Sequence, residues 1–329
     1  MTQSTSDIRW LLVGTGDIAA KRVGPALNGV TGSRVVGVVS RDARRAESFA
    51  QQVGAHEAYG DLSEALKQTQ ATAVYIATAV NLHAGQVVAA ARAGKHVLVE
   101  KPLALDGPQA MAAADAAKSA GVIGACAYYR RFSARYDQAK SMIDRGELGK
   151  ILLVRMACHS NYNPAVDDPK HWRVVKRLSG GGVLADMGSH MIDVLIGLLG
   201  MPAGVRAKVE NLVHGYEVED TASVLMTTKG GAQITGSFSW ASKAWGHEME
   251  IIGSEAKLCW SPYDSGKVVW SAGRETREFD LPPAANVHLP LVEDFVAAIR
   301  EGRPPRVTLE EAAKTNQVLD LIYASGENQ

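Results

Sequence analysis

Between Trp10 and Val39 the chain runs from an apolar strand, Trp10-Leu11-Leu12-Val13, through the turn Gly14-Thr15-Gly16-Asp17-Ile18-Ala19 into a helix ending near Asn28. A second apolar strand, Arg34–Val39, follows. Strand, glycine turn, helix and strand make a βαβ unit. The glycines have a physical reading in that order. Gly14 permits the tight turn, Gly16 lets a pyrophosphate approach the backbone, and the small Ala19 lets the helix pack closely. Exposed amides at the helix start, at Asp17 and Ile18, are placed to hold phosphates. The alternation continues with a helix over Arg44–Val53, a short strand at His56–Tyr59, a helix over Leu62–Thr69, and the nearly all-apolar strand Ala73–Thr78. A helix from His83 to Ala93, a helix over Ala110–Ala120 and a last strand at Val122–Ala127 complete the set. These elements predict an α/β fold, with residues 1–127 forming a Rossmann dinucleotide-binding domain on a parallel sheet.

The end of the second strand selects the dinucleotide, because an acidic residue there binds a ribose hydroxyl and repels a 2′-phosphate. Here it is Ser40-Arg41, a hydroxyl and a guanidinium, with Arg44 and Arg45 on the following helix. That set suits a phosphate dianion and predicts NADP(H) over NAD(H). The other reading keeps the arginines as a solvated helix start and Asp42 for a ribose hydroxyl, so NAD(H) stays open. Thr78-Ala79-Val80-Asn81-Leu82-His83 would lie beside the nicotinamide half, with Thr78, Asn81 and His83 as contacts, although Asn81 and His83 read equally well as helix caps. A third apolar strand, Val97-Leu98-Val99, ends in Glu100-Lys101-Pro102. Pro102 cannot extend a ladder, and a lysine beyond the carboxyl end of a parallel strand points into the cofactor crevice.

From Tyr128 the pattern changes. A helix over Ala134–Arg145 leads to strands at Ile151–Cys158, Ala203–Val213, Thr221–Thr228, Ala232–Ser239, Glu248–Gly253, Leu258–Trp260, Lys267–Ser271 and Glu275–Phe279, with a hairpin turn at Lys229-Gly230-Gly231. Strands without intervening helices predict an α+β domain over 128–329 built on a large, mainly antiparallel open sheet. The helix after Gly180-Gly181-Gly182 runs to Leu199 and carries Asp186, His190 and, three residues further and so nearby, Asp193. Asp186 and His190 are four apart, hence on one face, where a carboxylate can orient an imidazole for proton transfer near neutral pH. Zinc needs about three protein ligands, and no second histidine stands at ligand spacing, so no metal is expected.

Composition narrows the partners. Of the 329 residues, 35 are Lys or Arg and 35 are Asp or Glu, and no stretch concentrates one sign, which predicts no nucleic-acid or anionic-membrane partner. The three cysteines, Cys126, Cys158 and Cys259, are far apart and odd in number, against a disulfide framework. The polar start, Met1 to Asp7, lacks a leader pattern, and no apolar run looks long enough to span a bilayer, so a cytoplasmic location is expected.

Taken together, the glycine turn, Glu100-Lys101-Pro102, Trp172-Arg173, Gly180-Gly181-Gly182, Asp186-x-x-x-His190 and the stretch His288–Phe295 resemble the glucose-fructose oxidoreductase / inositol dehydrogenase / MocA family over nearly the whole chain. The resemblance implies reversible hydride transfer between nicotinamide and a sugar, sugar derivative or cyclic polyol. It assigns Lys101 to the substrate oxygen, His190 to proton transfer and Asp186 to orienting histidine or substrate, and it implies a cis Lys101–Pro102 bond. It also places Glu100 and Arg173 at the cofactor, Tyr128, Asn161, Tyr162 and Trp172 at the substrate, and a homodimer or homotetramer on the C-terminal sheet. Redox-neutral glycoside cleavage and a non-catalytic dinucleotide sensor are the alternative functions.

Overall fold

The computed structural model describes residues 7–327; the polar segment 1–6 lies outside them. The chain divides into two compact units. One holds the chain up to Ala104, Pro108–Tyr129 and Ala284–Ala313; the other holds Leu105–Gly107, Arg130–Pro283 and the chain from Lys314.

The first unit is built on six strands: β1 (Ile8–Val13), β2 (Ser33–Val39), β3 (Glu57–Tyr59), β4 (Ala73–Ile76), β5 (His96–Val99) and β6 (Gly124–Cys126). They pair in parallel in the order β3-β2-β1-β4-β5-β6. Every residue of β4 is buried, as are five of the six in β1, which is what a sheet covered on both faces requires. Strand order reverses at β1, between β2 and β4, so the carboxyl ends of β1 and β4 form the switch point at which such sheets bind ligands.

Several boundaries differ from expectation, two of them in this unit with consequences for its packing. The helix after β4 begins at Val80, not His83, because its buried stripe of Val80, His83, Val87 and Ala90 already starts there. Ala79 precedes it without a side-chain cap, so Asn81 and His83 are first-turn residues and not caps. The C-terminal segment Ala284–Ala313 joins this unit and not the second. Its helix, Leu289–Glu301, buries Leu291, Val292, Phe295 and Val296, and sets Phe295 5.6 Å from the Trp10 ring. Thr308 then bridges to Ala125 at the sheet edge. An apolar stripe states that a partner is needed, not which domain supplies it.

The second unit carries β7 (Ile151–Asn161), β8 (Pro202–Glu210), β9 (Thr221–Thr228), β10 (Gln233–Ser239), β11 (Ala241–Gly253), β12 (Lys257–Trp260), β13 (Val268–Ala272) and β14 (Glu275–Phe279). Their order is β14-β13-β12-β11-β7-β10-β9-β8, antiparallel except at β7 and β10. The hairpin turn joins β9 to β10, with Gly231 at φ +86°. One face packs on the core through Val154, Met156, Met226, Ile234, Phe238, Met249 and Ile251, together with Met191, Val194 and Leu195 of the helix Ser189–Leu199. The segment Lys176–Leu199 is, contrary to expectation, long and apolar enough to cross a membrane, but most of it is buried in this core, which accounts for its composition. β8 stops at Glu210, short of Val213, because Asp220 takes the N–H groups of Leu212, Val213 and His214 into a loop.

Candidate active site

In the first unit the glycine turn leaves β1 at the switch point. Gly14 has φ +106°, and a Cβ there would sit 2.5 Å from the Ala77 carbonyl oxygen, so the close approach of the β1 and β4 ends demands glycine. Gly16 is the reverse case: nothing lies within 4 Å of where its Cβ would stand, leaving its backbone approachable. A turn of π-helix over Ala19–Val23 and the helix Gly24–Gly29 follow, with Ala19 fully buried. Asp17 is spent on an exposed ion pair with Lys21 (3.1 Å), which contributes little to stability.

The residues read as the phosphate set do gather here. Arg45 donates from Nη2 to the Thr15 carbonyl at 2.9 Å, and the Thr15 and Ser40 hydroxyls are 3.5 Å apart. Arg41 and Arg44 are exposed. Asp42 caps its helix by accepting from Arg45 N–H (3.2 Å), a structural use for the carboxylate otherwise reserved for ribose. Thr78 directs its hydroxyl to Gln86 (2.7 Å), and Asn81 Oδ1 is buried without a hydrogen-bond partner.

Beyond β5 the charged pair is held from below. Glu100 is 9% exposed and accepts from Tyr75 Oη (2.8 Å) and from His288 Nε2 (3.1 Å). Burial works against its charge, but these bonds and the Lys101 ammonium outweigh burial and hold the carboxyl below its ordinary pKa. Lys101 is half-buried, its bond to Pro102 is cis, and the Pro102 carbonyl meets His83 Nδ1 at 2.8 Å. His83 Nε2 stands 3.2 Å from the Thr78 carbonyl, so both ring nitrogens are engaged with backbone. Burial pushes its pKa down, with the two carbonyls opposing. The ring fastens the segment after β5 to the segment after β4. Tyr128, read as a substrate contact, is fully buried.

In the second unit Asp186 lies in a turn of π-helix, Leu184–Gly188, and His190 in the α-helix that continues it. The Ser189 N–H bonds back to the Leu184 carbonyl, the five-residue return of a π-turn. His190 is 4% exposed and Asp186 half-buried. Asp193, expected to extend this pair, instead takes both ends of the Arg131 guanidinium (Nε 3.0 Å, Nη2 2.9 Å). Arg173 stacks on Trp172 at 5.5 Å and lies beside Tyr162, whose hydroxyl pKa is raised by burial and, less, by Asp186. Tyr162, Arg173 and Asp186 are thus neighbours, while Asn161 is exposed at the end of β7. Among the described residues no three of His, Cys, Asp and Glu gather as metal ligands.

Tyr75, His288 and Glu219 escaped the sequence reading. Tyr75 sat in an apolar run, His288 opened a helix 188 residues from its partner, and Glu219 preceded a strand. Only the buried carboxylates explain them. Glu100→Gln should lower unfolding free energy at neutral pH by about 1–3 kcal/mol, because the amide oxygen can still accept from Tyr75 and His288 but lacks the negative charge that strengthens both bonds and faces Lys101. The folded pKa lies below the ordinary 4.5, so the carboxylate's contribution is whole above that value and lost as pH falls through the folded one. Urea unfolding should therefore show the gap between wild type and variant narrowing as pH falls below the ordinary carboxylate value; a gap independent of pH contradicts the assignment.

Comparison with known proteins agrees with this geometry. Residues 8–128 match a family model described as an oxidoreductase family with an NAD-binding Rossmann fold, and residues 136–259 match the GFO/IDH/MocA C-terminal domain. An uncharacterized oxidoreductase, ORF334, of Rhizobium meliloti is 30% identical, with 97% of each chain covered. A D-xylose 1-dehydrogenase (NADP(+)) of Haloferax volcanii is 29% identical over 96% of each. A 3-ketoreductase from Actinomadura kijaniata, solved with NADP and TDP-benzene, superposes with a TM-score of 0.85 at 26% identity, covering 97% of this chain and 98% of that one. With both of its domains matched in order along one chain, the protein belongs to the Gfo/Idh/MocA family of NAD-binding oxidoreductases.

Proposed function

We propose that the chain is a cytoplasmic, NADP-preferring oxidoreductase of a sugar, sugar derivative or cyclic polyol. The observation that carries the reading is Lys101, half-buried at the carboxyl end of β5 beside a carboxylate held in its charged form. The dinucleotide fits the residues present. The open backbone at Gly16 and the amides of Asp17 and Ile18 would take the pyrophosphate, Ser40, Arg41 and Arg45 a 2′-phosphate, and buried Asn81 Oδ1 a ligand donor, with Thr78 alongside. Arg173 would add positive charge to the cofactor. When bound, nicotinamide supplies the acceptance or delivery of hydride.

The chain's own groups do the rest. The Lys101 ammonium would hold the substrate oxygen and offset negative charge developing on it, while His190 takes the hydroxyl proton during oxidation and returns it during reduction. Asp186 would orient the imidazole or the substrate. Tyr162 and Trp172 offer aromatic surface, and Asn161 a polar contact, for a polyhydroxylated ligand, whereas Tyr128 is buried away from one. The xylose dehydrogenase and ketoreductase relatives support both the substrate class and NADP. Three free thiols fit a reducing compartment.

Lys101→Ala should keep cofactor binding, read by tryptophan quenching, and lose turnover at least about a hundredfold on a panel of sugars and inositols; unchanged turnover removes Lys101 from catalysis. Reduced cofactor that stays bound while an aglycone is freed would mean glycoside cleavage instead. Ser40→Asp should weaken NADPH far more than NADH, and equal weakening refutes the phosphate site. The open face of the second unit's sheet exposes Leu152 and Leu225 and would pair copies into a dimer or tetramer. Light scattering should show that mass, and Leu225→Glu should return monomer.

A further inference from the structure

The helix carrying Asp186 and His190 begins inside the protein, where its first four N–H groups have no partners within the helix. Glu219, from a distant part of the chain, takes three of them, and Tyr323 holds Glu219. Glu219, just before β9, accepts Gly182 N–H at Oε2 (2.8 Å), Leu184 N–H at Oε1 (2.9 Å) and Val183 N–H at its own carbonyl (3.4 Å). Tyr323 donates its hydroxyl to Glu219 Oε1 at 3.0 Å and so holds that carboxylate in place.

The glycine run answers to this arrangement. A Cβ on Gly181 would collide with the Tyr323 hydroxyl, and one on Gly182 with the Glu219 carbonyl. Gly180, at φ +80°, ends the preceding helical turn so that the chain can enter this one. The helix start is therefore fixed in position and direction by an anion at its positive end. Farther along, the buried Arg131–Asp193 pair fastens the same helix beyond His190. The π-turn that carries Asp186 and leads into the turn of His190 lies between the two fastenings, its geometry fixed from both sides.

We infer that Glu219 and Tyr323 are positioning residues for His190: through the helix start they set where the imidazole stands for proton transfer, a role that rests on the function proposed above. The test is histidine-selective nitrogen NMR on the full-length chain without substrate, with the His190 signal assigned by its loss in His190→Gln. Glu219→Gln and the milder Tyr323→Phe should each move the ring-nitrogen shifts of His190, the former more. His159 and His247, on strands of the same unit, should keep theirs. If both variants melt at lower temperature while His190 is unmoved, the two residues serve stability alone and the inference is overturned. Should Glu219→Gln not fold, Tyr323→Phe decides alone. Turnover of His190→Gln separates the two ideas: wild-type rates there remove His190 from the chemistry whatever its neighbours do, whereas an inactive His190→Gln with an unmoved imidazole in the other variants removes only the positioning role.

Discussion

A carboxylate taken out of water must be met by donors, and the parts of this protein that bear on chemistry are each fastened by one. Glu100 holds the segment after β5 through Tyr75 and His288. Glu219 holds the start of the His190 helix, and Asp193 its later turn, against Arg131. Asp220, fully buried, gathers three successive backbone N–H groups of the loop after β8. Such sets are favourable only when complete, since removing one partner leaves a buried charge or donor unmet. That is why these segments have one geometry each.

The same side chain is treated in opposite ways by its partners. Glu100 has an imidazole and an ammonium nearby and its pKa is pulled down despite burial. Glu219 meets only neutral N–H and O–H donors, and burial prevails, pushing its pKa up. His247 completes the comparison: burial drives its pKa down to about 4, against the attraction of Asp264, so it is neutral across the physiological range. Burial, hydrogen bonds and neighbouring charges act together, and none decides alone: Asp220, met by neutral N–H and O–H donors, has its pKa pulled down despite burial, while His247 is pushed down despite Asp264.

Local patterns carried the architecture. Strand spacing, the glycine turn and the change from alternating elements to successive strands are all written within windows of a few residues, and both sheets follow from them. The glycine turn, Ser40 with Arg45, and the segment at Lys101 were legible for the same reason. What escaped was long-range pairing. Asp193 reads, by spacing, as a third member of the Asp186 and His190 group, yet Arg131, from the chain before β7, claims it. His83 reads as a cofactor contact until Pro102 and Thr78 are seen to occupy its ring. Periodicity reports which face is buried and is silent on who lies opposite.

The Glu100–His288 bond spans 188 residues, and it belongs to a unit whose final piece runs from Ala284 to Ala313. During synthesis the strands of that unit emerge first, but the helix that covers Trp10 and the imidazole that meets Glu100 emerge only after all the strands of the second unit's sheet. The second unit also waits, for Tyr323. The usual order, in which an N-terminal domain is finished while the rest is still being made, is thus closed to this chain. Its nucleotide-binding half is begun early and completed only after the other unit's sheet has been made.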